Sequence, residues 1–306
     1  MRVLHVTSGI DPTVGGTATA VLGLARAQRG AGLDVTVLST RGVACDESLL
    51  APLRDAGGRA RLVGPVRGKL QRHPQLAAAV RDEVASADVV HVHALWEEVQ
   101  HQACVASRAA GVPYVYTPHG MLDPWSLGQS RWVKRLFLAW RVRKNLNRAA
   151  AVHFTAEMEH ELTRPLGLTA PPLIEPNGIP LDEFATLPPA GAFRARRGIA
   201  AGRPVVLFLG RVHPKKGLDL LLPAFAAGAP REALLVVAGP VEAEYRAKLD
   251  AVADAAGIAD RVLWTGMLHG RERIEAMVDA DLFALPSHQE NFGIAVVETM
   301  ASGRPV

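Results

Sequence analysis

The stretch SHQENFGIAVVETMAS holds two carboxylates eight residues apart, Glu290 and Glu298. An ionised carboxylate only accepts hydrogen bonds, so such a pair suits a ligand rich in hydroxyl donors. Between them Gly293 opens a helical run. The N–H groups of Phe292, Gly293 and Ile294 would face an anion there, with the helix dipole adding to the attraction. Earlier in the chain, LGRVHPKKG sets Arg211 and Lys216 on either side of a turn that leads into a helix. Cations beside a helix N-terminus suit a pyrophosphate. The Walker pattern is missing here, which argues against a nucleoside triphosphatase. Two junctions thus offer acceptors for hydroxyls and donors for phosphates.

The N-terminal half holds weaker candidates. SGIDPTVGGTATAV lacks the G-x-G-x-x-G order after its strand, which argues against a nicotinamide or flavin site. What remains is the pair Gly15 and Gly16 opening a helix, suited to an anion or a sugar hydroxyl, or else a turn that needs positive φ. His119, in YVYTPHGM, stands at a strand end, where it could exchange a hydrogen bond with a bound hydroxyl or hold its own loop. His91 and His93 lie two apart on one strand and share a face. They read as structural or as lining a cleft, since no third metal ligand has matching placement. Residues 131–148 carry seven Lys/Arg and no acid, with Trp132, Leu136 and Trp140 recurring every fourth position. That composition fits an anionic membrane surface, and the same stripe fits a helix packed on its sheet.

Short β-type runs must position these groups. Strands are predicted at 3–8, 35–39, 60–63, 89–94, 114–119, 151–156 and 172–177. Ala/Leu/Arg stretches of helical length separate most of them. Runs of Val and Leu without clean alternation indicate strands covered on both faces, hence parallel sheets. The Pro- and Gly-rich residues 178–203 read as a linker between domains 1–177 and 204–306. Beyond it the rhythm restarts, with strands at 205–210, 233–239, 262–266 and 281–287 and helices at 217–227, 242–256, 271–279 and 292–302. The expected fold is α/β, with two Rossmann-like domains facing across a cleft and ligands at the carboxyl ends of the strands.

Composition agrees with this division. A chain of 306 residues exceeds one ordinary hydrophobic core, and 49% hydrophobic with 21% charged residues is ordinary for a globular protein. No apolar run approaches the ~18 residues of a membrane span. Cys45 and Cys104 show neither metal-ligand nor disulfide spacing, which fits a reducing cytosol. Residues 1–175 carry 20 Lys/Arg against 15 Asp/Glu, and residues 176–306 carry 14 against 15, so the basic excess, and the anionic partners it attracts, belong to the first half. No nucleic-acid reader motif is present.

With E290-N-F-G-I-A-V-V-E298, the LGR…KKG stretch, the Gly-Gly loop, P-H-G at 118–120 and P-N-G at 176–178 in this order, the chain resembles the retaining glycosyltransferases of family 4. The resemblance implies the GT-B fold, with an acceptor domain followed by a nucleotide-sugar domain. It implies that Gly16 lies by the donor phosphate and that His119 contacts the donor sugar near the reacting centre. Arg211 and Lys216, helped by Gly293 and Ile294, would stabilise the leaving diphosphate. Glu290 would bind the transferred sugar and Glu298 the ribose. It further implies that no metal is needed, a saccharide or lipid-linked acceptor, and work in exopolysaccharide or lipopolysaccharide synthesis. The place implied is the cytoplasm, at the inner face of the cell membrane. Such chains continue beyond a G-x-P-V run, so a second domain incomplete at its C-terminus is expected, with a poorly soluble or weakly active form. A nucleotide-sugar epimerase or hydrolase, or a non-catalytic remnant that binds nucleotide sugar, is the alternative.

Overall fold

A computed structural model describes residues 1–10, 16–42, 45–129 and 131–306. The chain divides into two compact units, Met1–Gly178 and Ile179–Val306. The first holds strands β1 (Arg2–Thr7), β2 (Asp34–Thr40), β3 (Arg59–Val63), β4 (Val89–His93), β5 (Tyr114–Thr117), β6 (Ala151–Phe154) and β7 (Pro172–Ile174). They form one parallel sheet in the order β3-β2-β1-β4-β5-β6-β7. Its helices are α1 (Gly16–Gly30), α2 (Ala51–Asp55), α3 (Leu76–Ala85), α4 (Glu98–Ala110), α5 (Pro124–Gly128), α6 (Arg131–Phe137), α7 (Arg143–Asn147) and α8 (Glu157–Thr163).

The second unit repeats the scheme. It holds α9 (Ala192–Arg197), β8 (Val205–Leu209), α10 (Leu218–Gly228), β9 (Leu234–Ala238), α11 (Ala243–Ala255), β10 (Val262–Gly266), α12 (Gly270–Asp279), β11 (Leu282–Phe283) and α13 (Ile294–Ala301). Its parallel sheet runs β10-β9-β8-β11. In both units the strand order reverses beside the first strand, between β1 and β4 and between β8 and β11. Open α/β sheets bind ligands at such a reversal, outside the carboxyl ends of the strands.

Burial explains why the strands read as unbroken apolar runs. In β8, Leu207 and Leu209 enter one core with Leu234 and Val236, while Phe208 enters the opposite core with Leu235 and Val237. Alternate residues point to opposite faces, and helices cover both. In the first unit Leu4, Val6, Val90 and Val92 form the larger core, and Val3, Val35 and Val37 pack on the other face beside Ala25 of α1.

The stretch 178–203 departs from the expected linker, for nearly all of it packs into the second unit. Phe193 of α9 is buried in that unit's core. The Asp279 carboxylate accepts from Gly191 N at 2.6 Å and Arg194 N at 2.9 Å, satisfying N–H groups at the start of α9. Pro and Gly here shape a short helix and its turns rather than a free tether. The basic segment also departs from a single helix. A π-helical turn, Leu138–Val142, separates α6 from α7.

Candidate functional site

In the second unit two loops meet at the β8–β11 reversal. Beyond β8, Arg211 is exposed and makes no hydrogen bond or ion pair among the described residues. The chain then forms a short 3-10 turn, Pro214–Lys216, whose start is capped by the His213 ring accepting from Lys215 N. Gly217 follows at φ 69°, against the backbone after β11. A Cβ there would lie 1.9 Å from the Pro286 carbonyl oxygen, so only glycine permits this approach. His288 N donates to Lys215 O at 2.9 Å and ties the two loops together.

This contact brings Lys216 to Glu290. Lys216 Nζ donates to Glu290 Oε2 at 2.5 Å, Ser287 Oγ donates to the same oxygen at 3.2 Å, and Asn291 N donates to Oε1. Both charged side chains are partly exposed, so a ligand can reach them. Gly293, at φ 76°, stands at the N-cap of α13, and a Cβ on it would lie 3.3 Å from Glu290 Cγ. Lys216, Glu290, Gly293 and Ile294 are therefore together at the end of the sheet where topology places a ligand. The arrangement offers a cation and a helix N-terminus that suit phosphate, and a carboxylate that can accept from hydroxyls once Lys216 leaves it.

Glu298 is placed differently. It lies 2% exposed on α13, and its Oε1 accepts from Arg273 Nη1 of α12 at 2.8 Å. Arg273 Nη2 also bonds Glu183 at 2.8 Å. Burial raises the Glu298 carboxyl above its ordinary range, with Arg273 opposing the shift. Arg273 was not legible as a partner, because its α12 position and Glu298 are joined only by the packing of two helices.

The first unit gathers five histidines on one sheet face. His5 of β1 stands in register with His91 of β4, and His93 stands in register with Thr117 of β5. The sequence reading found no third group to match His91 and His93; His5 is that group, with one ring nitrogen from each of the three within 4.8 Å. Strand pairing, which spacing along the chain does not reveal, brings it there. The rings already serve one another. His5 Nε2 bonds Gln28 Oε1 at 2.7 Å, His5 Nδ1 bonds His93 Nε2 at 2.9 Å, and His93 Nδ1 bonds His119 Nε2 at 3.0 Å. A second path joins His91, Thr117 and His153, at 2.7 and 2.9 Å, and ends on the Glu175 carbonyl at 2.8 Å. Burial drives the pKa of His5 down to about 4 and that of His119 to about 3, and holds His91 and His93 well below the ordinary value.

His119 itself lies just past β5 at φ 52°, a left-handed conformation uncommon outside glycine. Gly120 follows at φ 71°, and its N–H donates to the buried Glu159 carboxylate at 2.6 Å. The other Glu159 oxygen accepts from Thr155 N at 2.8 Å. One carboxylate on α8 thus pins the loop that carries His119. At the β1–β4 reversal, Ser8 Oγ donates to Glu97 Oε2 at 3.1 Å, and burial raises the Glu97 carboxyl. Position at a strand's carboxyl end was the available signal for Ser8 and Glu97. Gly16 opens α1 and is exposed, while Gly15 lies outside the described residues.

Residues 131–147 turn four large apolar groups outward. Trp132 and Trp140 are each 75% exposed, Leu136 70% and Val133 65%. Arg131 and Arg135 stack over Trp132 at 5.4 and 5.8 Å. Facing inward, Phe137 and Leu138 pack against the first unit's core, and Arg141 is buried, donating to Glu98 at 2.9 Å, beside buried Val142 and Leu146. No helix among the described residues is long and apolar enough to cross a membrane.

The chain matches two family models, "Glycosyl transferase 4-like domain" over residues 15–178 and "Glycosyl transferases group 1" over residues 191–306. It is similar to the D-inositol 3-phosphate glycosyltransferase of Xylanimonas cellulosilytica, 32% identical over 234 residues, covering 72% of this chain and 54% of that protein. It thus spans about half the length of that relative. The GDP-mannose:cellobiosyl-diphosphopolyprenol alpha-mannosyltransferase of Xanthomonas oryzae pv. oryzae is 27% identical over 309 residues, 99% of this chain and 77% of that one. The Anabaena protein Alr3699/HepE, solved in complex with UDP-glucose, shares the fold with a TM-score of 0.80 at 22% identity, covering 100% of this chain and 79% of that one. Two Rossmann-like units of the GT-B type are common to both structures. The first of the two models spans more than half of the sequence, and the chain belongs to the glycosyl transferase 4-like family.

Proposed function

We propose that this chain transfers a sugar from a nucleotide-sugar donor to a saccharide or lipid-linked acceptor, with retention and without a metal. The observation that carries the reading is the Lys216–Glu290 pair, held beside the α13 N-terminus at the β8–β11 reversal. Bound phosphate would draw Lys216 away from Glu290 and free the carboxylate for sugar hydroxyls. Arg211, exposed beyond β8, supplies a second cation for the departing diphosphate, and Gly293 and Ile294 supply backbone donors. Fixed cations and N–H dipoles neutralise the leaving group as the glycosidic carbon passes through an oxocarbenium-like state. Gly16, at the start of α1, adds a backbone donor, and His119 contacts a substrate hydroxyl. Glu298 serves the ribose in this reading, sharing its carboxylate with Arg273.

The mannosyltransferase relative is named for a donor, GDP-mannose, and a polyprenol-linked acceptor. An acceptor of that kind suits the outward tryptophans and arginines of residues 131–148, which we assign to the anionic inner face of a membrane during exopolysaccharide or lipopolysaccharide synthesis. The test is calorimetry of the purified chain with UDP- and GDP-sugars, followed by product analysis. Binding that Lys216→Ala and Glu290→Ala abolish, with sugar passing to an acceptor, is the expected result. Failure to bind any nucleotide sugar, or binding indifferent to both changes, would end the reading. Release of free sugar alone would make the chain a hydrolase.

A further inference from the structure

The histidine chain has a direction, and the direction fixes the chemistry of His119. A neutral imidazole has one N–H and one lone pair. Gln28 Oε1 can only accept, so the proton of His5 is on Nε2 and its Nδ1 is a lone pair. That lone pair accepts from His93, which places the His93 proton on Nε2. His93 Nδ1 in turn accepts from His119 Nε2–H. The neighbouring path runs the same way from a backbone carbonyl, whose role cannot invert. Glu175 O accepts from His153 Nε2–H, Thr117 Oγ1 donates to His153 Nδ1, and His91 Nε2–H donates to Thr117. Each anchor therefore sets the polarity of its own path, Gln28 that of His5, His93 and His119, and the Glu175 carbonyl that of His153, Thr117 and His91. The His5 and His93 rings are buried away from water, so an added proton would have little solvation to hold it.

We propose that Gln28, acting through His5 and His93, is a positioning residue that locks His119 in its Nε2–H tautomer, so that His119 presents Nδ1 to substrate as a hydrogen-bond acceptor. Gln28 lies on α1 and touches His5, while the group it sets is on the loop after β5. A hydroxyl that meets His119 must then be a donor in that bond. An ether or carbonyl oxygen at the same place would face a lone pair and be refused, which is a means of selecting a hydroxyl-bearing substrate. This part of the inference rests on the role proposed for His119; the tautomer does not.

Long-range proton–nitrogen NMR of the purified, chelator-treated chain, labelled at histidine nitrogens, reads each ring directly. The expected spectrum shows His5, His93 and His119 each protonated at Nε2 and bare at Nδ1. Gln28→Leu removes the anchor with little change of volume, and His119 should become a mixture of tautomers. His5→Phe breaks the next link and should give the same mixture. Thr117→Val interrupts only the other path and should leave His119 unchanged. His119 protonated at Nδ1, or a spectrum untouched by Gln28→Leu in a chain that still melts cooperatively, would overturn the proposal. So would nitrogen shifts that change on chelation, since the rings would then be ligating a metal. A kcat loss in Gln28→Leu at unchanged KM for donor would extend the lock to transfer. The expected tautomer pattern in a chain that transfers no sugar would count against the proposed function and leave the lock standing.

Discussion

At the residue scale the chemistry of the second unit turns on one ion pair and one glycine. Lys216 and Glu290 sit 2.5 Å apart, so neither is ready for ligand until the other is given a new partner. Removing either should cost ~10²–10³ in transfer rate, the usual loss for one preorganised charge contact. Because each variant also strands the other charge, the double variant Lys216→Ala/Glu290→Ala should fall short of the product of the two single losses. Steady-state kinetics of the four forms decide this, and strict multiplicativity would mean that the two residues act on separate groups. Gly217 is the second point. A Cβ at φ 69° and 1.9 Å from a carbonyl oxygen forces the loops apart. Gly217→Ala should lower stability by about 1–3 kcal/mol and lose donor binding with it, as measured by denaturant unfolding and calorimetry. An unchanged midpoint would show that the two loops are not held as described.

At the element scale, strand pairing makes a polar layer inside an apolar sheet. His5 and His119 have pKa values of about 4 and about 3 when folded, against ~6.5 in an open chain. The unfolded state therefore binds protons first, and stability is whole above pH 6.5 and falls as pH drops toward 4. His5 alone accounts for ~3 kcal/mol by pH 4, with His91 and His93 adding in the same direction. Urea titrations at pH 7.5, 6 and 5 should show the decline, and His5→Gln should lessen it, the other buried histidines keeping the rest; a level profile over that range would contradict buried neutral rings. Much of this scale was legible in the sequence. The strand expected at 262–266 is β10 to the residue, and most others differ from observation by one or two positions at their ends. Alternation of Val and His in VVHVH placed His91 and His93 on one face. What local pattern could not supply was register, which joins β1 to β4 and brings in His5. Nor could it tell which side of residues 131–147 faces solvent, since a stripe of Trp and Leu suits a core and a bilayer alike. The structure turns Trp132 and Trp140 outward. Trp132→Ala and Trp140→Ala should each weaken binding to anionic vesicles roughly tenfold, the loss expected for one large apolar group leaving lipid. Sedimentation with phosphatidylglycerol vesicles measures it, and equal binding by the double variant would remove the membrane role.

At the scale of the whole molecule the two units share a topology but not a charge. Residues 1–175 hold the excess of Lys/Arg over Asp/Glu, while residues 176–306 are close to balanced, with 14 against 15. A general attraction to anions therefore favours the first unit, whereas the anion site we propose, Lys216 with the α13 N-terminus, is in the second. These two kinds of binding differ in their response to salt. Diffuse attraction between exposed charges is screened within ~8 Å at physiological ionic strength, but a partly buried pair beside a helix end is screened much less. Hydrogen exchange with UDP or GDP present should therefore protect the second unit, around 215–217 and 290–298, and keep that protection in 0.5 M salt. At a hundredfold excess over Kd the nucleotide should add ~2.7 kcal/mol to that unit's opening free energy and leave β1–β7 unchanged. Vesicles should do the reverse, protecting residues 131–147 and losing their effect as salt rises. Nucleotide protection confined to the first unit, or protection around 215–217 and 290–298 that vanishes with salt, would count against the proposed site and leave Lys216 and Glu290 as a structural ion pair.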